Sequence, residues 1–178
     1  NDHELLQAIY DPDQPGSLAG NIRSLMWSAT HVRERLSLDH WHSLNALQRD
    51  QQRAQKTPPT LTEAIAFLDR VLLFSSSLTG FAMDNMTRDD GWRFLIIGRR
   101  LERLAFLAEA LAGFLEMKSA RGSGALDWLL DLMDSTITYR SRYSRTPELL
   151  PVLDLLVFDD SNPHGVLFQC QVLLRYLE

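Results

Sequence analysis

The chain has 178 residues, of which 45% are hydrophobic and 23% are charged, as in an ordinary soluble globular domain. Its 18 Lys and Arg against 23 Asp and Glu give a net charge of −5, which argues against nonspecific nucleic-acid binding. No apolar run approaches the roughly 18 residues that span a bilayer, and the first residues do not resemble a signal peptide. The single cysteine, Cys170, excludes an internal disulfide and a thiolate metal cage. We therefore expect one cytoplasmic domain over residues 1–178, with no nucleic acid, membrane or metal partner and no cofactor.

Helical periodicity dominates the chain, and capping signals place the helices of its N-terminal half. Ser17 can cap a helix over about 18–36, and Ser37 can cap a second helix. Thr60 and Glu63 form a capping box, which predicts the start of a third helix.

The remaining predicted elements also belong to an all-α protein. Together they predict a helical bundle of about six to seven helices. In chain order they are a polar loop at 51–60, a connection at Gly80–Arg88, a long helix at about 89–118, a small-residue break at Ser119–Gly124, a helix at about 126–143, a shorter helix from Pro147 to Leu156, and a last helix with Asn162 as N-cap and Pro163 as its first residue.

A charged group lies inside an apolar helix segment, 92–115. The segment is apolar on two faces, yet it carries Arg99, Arg100, Glu102 and Arg103. A helix that is apolar on two faces lies inside a bundle, so we expect some of these charges away from the open surface. Such charges either form a paired structural network or form a site.

The two interpretations predict different neighbours for the arginines. In the functional one, surplus guanidinium groups bind a carboxylate or a phosphate through paired hydrogen bonds, and the glutamate acts as a base. In the structural one, acidic residues of other segments complete a buried network. The candidates are Glu34, Asp89, Asp90 and Asp134.

Three smaller groups of charged and aromatic residues can also be interpreted structurally or functionally. The first suits helix-end packing and capping, and the second suits the positive end of the long helix. The third either receives an anionic partner or is a solvated helix end. The groups are Arg33, Glu34, Trp41 and Asn45; Arg88, Asp89 and Asp90, followed by Trp92; and Tyr139, Arg140, Arg142, Tyr143 and Arg145.

The sequence contains no recognisable catalytic motif. It has no H-E-x-x-H, G-x-S-x-G, P-loop or G-x-G-x-x-G pattern. His40 and His42 are two residues apart, so on a helix they point to different sides and suit a shared metal poorly. Cys170 lies in an apolar segment, which favours a core residue over a nucleophile. A non-catalytic domain is therefore favoured, and an enzyme stays open.

The run Met86–Arg103, MTRDDGWRFLIIGRRLER, resembles a signature of the bacterial alpha-E family, an all-helical domain of unassigned activity with a Glu-Arg motif. Nearly all of the chain takes part in this resemblance. The other matching blocks are Val32–Ser37 with Trp41, Leu44 and Asn45; Tyr139, Arg140 and Tyr143; and Asn162–Pro163, where His164 replaces an arginine of the family turn.

The chain departs from the family pattern in two places. The family domain is longer and usually begins with another G-R-x-x-E-R helix, so the chain resembles its C-terminal portion. The family also tends to carry an Ala-Arg-Glu-Asn-type run where this sequence has Leu25–Ser28, LMWS.

The resemblance implies a role, because similar proteins are encoded beside, or fused to, a circularly permuted ATP-grasp protein, often with a transglutaminase-like protein. It implies an accessory or interaction domain of an ATP-grasp-type peptide or amide ligation system, and not a domain that binds ATP itself. Two alternatives stay open from the residues alone. One is an anion-binding or catalytic helical domain, and the other is a helical module for homo-oligomers.

Overall fold

All regular structure in the described part of the chain is helical. The computed structural model describes residues 2–56, 59–117, 123–143 and 146–178, and these ranges contain nine α-helices and no strand. The all-α prediction is confirmed, and the helices outnumber the six to seven predicted because short turns divide some of them. The helices are α1 Asp2–Tyr10, α2 Leu18–His31, α3 Leu38–Lys56, α4 Leu61–Asp84, α5 Asp90–Glu116, α6 Ser123–Leu132, α7 Thr136–Tyr143, α8 Leu149–Leu153 and α9 Val166–Leu177, with a 3₁₀ turn at Arg33–Arg35 and a π-helical turn at Asp154–Phe158.

The chain divides into two compact units. Unit 1 is Asn1–Thr87 and contains α1 to α4, and unit 2 is Arg88–Glu178 and contains α5 to α9. Each unit buries a hydrophobic cluster of its own. The single domain expected over residues 1–178 stays a prediction.

The core of unit 1 lies where its four helices meet. Phe67 of α4 is 1% exposed, and its ring stacks on Tyr10 of α1 with the centroids 5.4 Å apart. Ile22 of α2 and Leu44 of α3 are buried in the same cluster. Removal of these apolar side chains from water is the main force that holds the four helices together.

Side-chain caps begin the helices of unit 1 where the sequence predicts them. The Ser17 hydroxyl accepts a hydrogen bond at 3.1 Å from the backbone N–H three residues later, and Ser37 does the same at 3.2 Å. The Thr60 hydroxyl accepts from Glu63 N at 3.3 Å, and the Glu63 carboxylate accepts from Thr60 N at 2.7 Å. These bonds satisfy N–H groups that a helix start leaves without an internal partner.

Two helices of unit 1 end elsewhere than predicted. Helix α2 ends at His31 rather than near Leu36, because its last backbone bond tightens to 3₁₀ spacing before the 3₁₀ turn. Helix α3 continues to Lys56, so the prediction of a loop over 51–60 is wrong for the first six of these residues. Gln, Arg, Ala and Lys are good helix formers, and Gln51 is buried against the unit.

Helix α4 is longer than predicted and includes part of the expected connection at Gly80–Arg88. It continues as far as Asp84 because the small hydroxyl side chains within it do not interrupt the helix. Each of these hydroxyls donates to the carbonyl oxygen four residues earlier, at 2.9 to 3.0 Å. This local bond satisfies the hydroxyl within the helix. The residues are Ser75, Ser76, Ser77 and Thr79.

Helix α4 also corrects the expectation that no apolar segment is long enough to span a bilayer. Among the described residues it is one helix that meets the length and composition of a membrane span, with a mean hydropathy of 1.4 over its most apolar window. Only 11% of that window is buried. One such helix is weak evidence for a membrane segment. Its length and composition alone therefore do not explain why its apolar side chains are exposed.

The core of unit 2 gathers α5, α6, α8 and the π-helical turn around Tyr139. Phe114 of α5 is 1% exposed, and Leu129 and Leu155 are fully buried. The Tyr139 ring is also fully buried, and its hydroxyl accepts a hydrogen bond from Glu148 N at 3.2 Å. A buried tyrosine of this kind contributes apolar area and keeps its polar end satisfied.

Three predicted boundaries in unit 2 change. The helix predicted over 126–143 is divided into α6 and α7, because Asp134 between them adopts a positive φ of 48°. The predicted break at Ser119–Gly124 lies mostly outside the described residues, and α6 already begins at Ser123. The helix predicted from Pro147 to Leu156 is α8 followed by the π-helical turn.

Asn162 is not the N-cap of the last helix, as the sequence suggests. Helix α9 begins after Gly165, and Asn162 lies in the preceding turn, 1% exposed. Its amide donates to Leu155 O at 3.1 Å and to Ser135 Oγ at 3.3 Å. Its oxygen accepts from His164 N at 3.1 Å. One buried amide therefore ties the turn before α9 to two other segments.

We expect Asn162→Ala to lower the free energy of unfolding by about 2–4 kcal/mol, because the buried Leu155 carbonyl and the partly buried His164 N–H lose this partner and Ser135 loses one of its two hydrogen bonds. Chemical unfolding monitored by circular dichroism measures this loss. Asp160→Ala, at an exposed neighbouring position, should stay within about 0.5 kcal/mol of the parent chain. Equal stability of the two variants would show that the amide does not hold this turn.

Candidate functional site

Helix α5 presents the charge cluster, which is defined here as Arg99, Arg100, Glu102 and Arg103, near its middle. The helix begins where the Asp89 carboxylate accepts a hydrogen bond from the N–H three residues later at 3.0 Å. Its buried residues fall on one face, and they are Trp92, Ile96, Leu107, Leu111 and Phe114.

Within unit 2, α5 is covered on one face, and the second apolar face that the sequence predicts is only partly buried. Leu101, on the second predicted apolar face, is 50% exposed, and Arg99, Glu102 and Arg103 are exposed as well. Only Arg100 of the charge cluster is half-buried. The other helices of unit 2 pack against one side of α5, so the cluster lies at the edge of that contact and beyond it.

Arg100 joins the charge cluster to helix α9. Its Nη1 donates to Gln169 Oε1 at 3.2 Å, and its guanidinium carbon lies 5.9 Å from the centroid of the Phe168 ring. The Gln169 side chain is fully buried, and its amide donates to the carbonyl oxygen of Pro163. Arg100 is therefore held by a neutral, fixed partner rather than by a carboxylate.

Arg103 lies beside the turn that precedes α9. Its Nη1 is 3.0 Å from His164 Nδ1, and His164 Nε2 is 3.6 Å from Asp134 Oδ2. An arginine can only donate, so Nδ1 is the acceptor and the proton of the neutral imidazole is on Nε2, facing Asp134. Arginine, histidine and aspartate thus form a row across three segments of unit 2.

The row lowers the pKa of His164 below its ordinary value. Burial is the largest cause, and the charge of Arg103 acts in the same direction, while the carboxylate of Asp134 opposes both. The His164 side chain is 30% exposed. A neutral histidine that accepts from a cation and faces an anion is the form that this arrangement favours.

The arginines of the charge cluster also disfavour one another. Burial is the largest cause that lowers the pKa of Arg99, followed by the charges of Arg100 and Arg103. Burial again comes first for the lowered pKa of Arg100, followed by Arg103. All three remain cations, so this side of α5 has a concentrated positive field that attracts anions.

The acidic neighbours proposed from the sequence are distributed differently. Asp134 contacts His164 rather than an arginine, and its side chain is 89% exposed, so it does not complete the buried network of the structural interpretation. Asp89 caps α5, and Asp90 lies in its first turn. Glu34 is exposed in unit 1. A shallow depression of about 480 Å³ adjoins the cluster, and its described lining comes from α5 between residues 94 and 103.

The first supporting group lies in unit 1 and forms local contacts. The guanidinium carbon of Arg33 lies 4.8 Å from the centroid of the Trp41 ring, and its Nη1 donates to Leu36 O at 3.1 Å. Asn45 donates to Trp41 O, four residues earlier, at 2.8 Å. These contacts fix the link between α2 and α3, as the packing interpretation predicts.

The second supporting group stabilises the start of α5. The guanidinium carbon of Arg88 lies 4.3 Å from the centroid of the Trp92 ring, a cation–π distance. Trp92 also meets Tyr176 of α9 edge to face, with the centroids 5.7 Å apart. This group anchors one end of the α5–α9 contact.

The third supporting group is divided between core and surface. Tyr139 is buried, and its ring centroid is 4.9 Å from that of Tyr143, whose hydroxyl donates to Asp154 at 2.9 Å. Arg142 forms an ion pair with Asp159 and donates to a neighbouring serine hydroxyl. Arg140 is exposed, and Arg145 lies outside the described residues. The patch is largely a structural tie rather than an open basic surface.

The structure adds His164 and Gln169 to the site, which the sequence reasoning did not select. His164 is 61 residues from Arg103 and Gln169 is 69 residues from Arg100, so no spacing rule relates them. For Gln169 the sequence does contain a signal, because a polar Gln inside an apolar last helix needs a buried partner.

The comparisons with known proteins agree with the resemblance noted from the sequence. A family model, Alpha-E, described as a predicted alpha-helical domain with a conserved ER motif, matches residues 2–178. Uncharacterised proteins of Mycobacterium bovis and of two Mycobacterium tuberculosis strains are 31% identical over 167 residues. These residues are 90% of this chain and 19% of each relative, so the chain spans about a fifth of their length. No solved structure matches the chain.

Arg103→Met should change the free energy of unfolding by less than about 1 kcal/mol, because the Arg103 side chain is exposed. Arg142→Met should cost more, about 1–3 kcal/mol, because the side chain of its partner Asp159 is only 9% exposed. Urea unfolding of both variants provides the comparison. A loss of about 3–5 kcal/mol for Arg103→Met would instead identify a buried structural pair.

The pKa of His164, measured by NMR titration, should lie below 6.5, fall further in Asp134→Asn and rise in Arg103→Met. Because the unfolded chain binds more protons there, His164 makes stability increase with pH up to about its unfolded pKa. As the pH falls through the folded pKa, that contribution is lost. His164→Gln should remove this part of the slope. An unchanged slope would contradict the assignment of the neutral form to the row.

Proposed function

Because this chain belongs to the Alpha-E family, we propose that it is a non-catalytic helical interaction domain of an ATP-grasp-type peptide or amide ligation system. Its partner in this proposal is a circularly permuted ATP-grasp protein, with a transglutaminase-like protein as a second candidate. Both partners come from the resemblance noted in the sequence.

The observation that carries an interaction role is the exposure of large apolar side chains on long helices. Phe94 of α5 is 73% exposed, and Leu72 and Leu73 of α4 are 67% and 71% exposed. Single exposed apolar residues are ordinary, but repeated ones along a helix mark a surface that a protein or a membrane covers. A domain that works by contact needs such a surface, whereas a domain that works by chemistry needs a polar cleft.

The charge cluster favours a second candidate function, the binding of an anion. Arg99, Arg100 and Arg103 concentrate positive charge beside a shallow depression, and burial and mutual repulsion already lower the pKa of the first two. A carboxylate or phosphate there would relieve this repulsion. In the catalytic form of this candidate Glu102 acts as a base. The depression is open, which favours transient contact with an acidic group over enclosure of a substrate.

The proposed function predicts that the full chain binds the ATP-grasp protein of its own genome. Isothermal calorimetry at low salt should give a dissociation constant of about 10 μM or tighter, typical of a specific transient contact. Phosphate, ADP and an acidic peptide, each titrated alone, should give no heat. Heat with those anions but none with the protein would reverse the choice between the two candidates. Silence in every titration would contradict both.

A further inference from the structure

The outward face of α5 has a seven-residue pattern that the core of unit 2 does not use. Three large apolar residues and four small ones follow each other at intervals of three and four, which is the spacing of a coiled-coil seam. Every residue of this pattern is exposed. The seam, as we call it, consists of Phe94, Gly98, Leu101, Ala105, Ala108, Ala112 and Leu115.

The seam is on the opposite side of α5 from the residues that contact α9 and the core. At 100° per residue, Phe94 and Leu101 lie about 140° or more from Ile96 and Phe114, which are buried. The seam runs for about 32 Å at 1.5 Å per residue. A surface of this length is long enough to contact a second helix over several turns.

The small residues in the seam are not required by packing within unit 2. Gly98 lies in the middle of a long helix, where glycine is less favourable than alanine. A Cβ added there would meet nothing within 4 Å. No side chain of unit 2 therefore fills the space in front of Gly98. Small residues at a helix surface allow another backbone to approach closely.

For a partner helix that repeats this pattern, the order of large and small residues sets the direction of the pair. Gly98, Ala105 and Ala112 occupy one column of the seam, and the other column is large apart from one alanine: Phe94, Leu101, Ala108 and Leu115. In an antiparallel pair the two columns face each other, so a partner of the same pattern places large side chains over small ones. A parallel pair would leave small residues facing small ones and the contact underpacked.

One flank of the seam is acidic. Glu102, Glu109 and Glu116 follow each other at intervals of seven and are exposed. In an antiparallel pair this flank faces the equivalent flank of the partner, and these flanking charges set partner choice. A second copy of α5 would bring glutamates against glutamates. The charge therefore disfavours a second copy and favours a partner with Lys or Arg on that flank.

We propose that the seam docks one antiparallel amphipathic helix of a partner protein, with basic residues along the flank that faces Glu102, Glu109 and Glu116. This inference rests on the proposed interaction role and names the chemistry of the partner. The partner carries large apolar side chains opposite Gly98 and Ala105 and small ones opposite Phe94.

Two synthetic helical peptides of four heptads test the proposal with the full chain. Both alternate Leu and Ala in the seam positions, and they differ only in Lys or Glu at the flanking position. Fluorescence anisotropy should show that the Lys peptide binds at least about ten-fold more tightly than the Glu peptide. Equal affinity, or no binding by either peptide, would overturn the proposal.

Matched variants separate the seam from the rest of the helix. Phe94→Ala should weaken binding of the Lys peptide about ten-fold or more, whereas Phe106→Ala, at an exposed phenylalanine off the seam, should not. Gly98→Leu should abolish binding, and Gly113→Leu, also in open space but off the seam, should leave it unchanged. Thermal unfolding by circular dichroism confirms that each variant is folded. Equal effects within either pair would contradict the assignment of the seam.

Charge reversal tests the acidic flank directly. Glu109→Lys combined with Glu116→Lys should reverse the preference, so that the Glu peptide becomes the tighter ligand. Sedimentation should show a monomer, and a dimer that Phe94→Ala dissociates would make a second copy the occupant and overturn the proposal. If the ATP-grasp protein binds the parent chain and Phe94→Ala equally, this inference fails while the proposed function stands.

Discussion

Helix α5 turns one side of its 27 residues toward its own unit, and the arrangement of the site depends on this one-sided contact. The side with Ile96, Leu107 and Phe114 enters the core of unit 2. Everything else on α5 falls at the edge of that contact or beyond it. Arg100 lies at the contact with α9, and Arg103 reaches the turn before it. Packing in the core does not determine which residue types occupy the exposed positions of α5.

The non-helical points of unit 2 supply the other half of the site. Asp134 adopts a positive φ between α6 and α7, and His164 lies in the turn that Asn162 holds. In a continuous helix the direction of the side chains turns by about 100° with each residue, so Asp134 would point to another face. The breaks instead bring one carboxylate and one imidazole to the same edge of α5. The stability of the Asn162 amide network therefore sets how precisely the imidazole is placed.

The sequence predicts those parts of the fold that depend on neighbours a few residues away. The caps at Ser17 and Thr60 are confirmed because they are side-chain-to-backbone bonds within one turn. The extent of α4 was missed because its serine hydroxyls bond within the helix rather than interrupting it. For the site, the sequence selects the charge cluster but not His164, since that contact joins residues 61 apart. Which side of α5 is covered is likewise decided by tertiary packing, and a two-sided apolar pattern does not distinguish a core from a docking surface.

Glu102 and Arg103, in the middle of α5, lie on two different surfaces of the helix. Adjacent residues on a helix point about 100° apart, so Arg103 faces the turn with His164 while Glu102 lies on the outward flank of the seam. Burial first, and then the charges of the neighbouring arginines, lower the pKa of Arg99 and Arg100, so the folded unit disfavours their charged forms. Because the basic and acidic residues face different directions, a partner helix on the seam and an acidic group at the arginines can bind the same helix without competing for it.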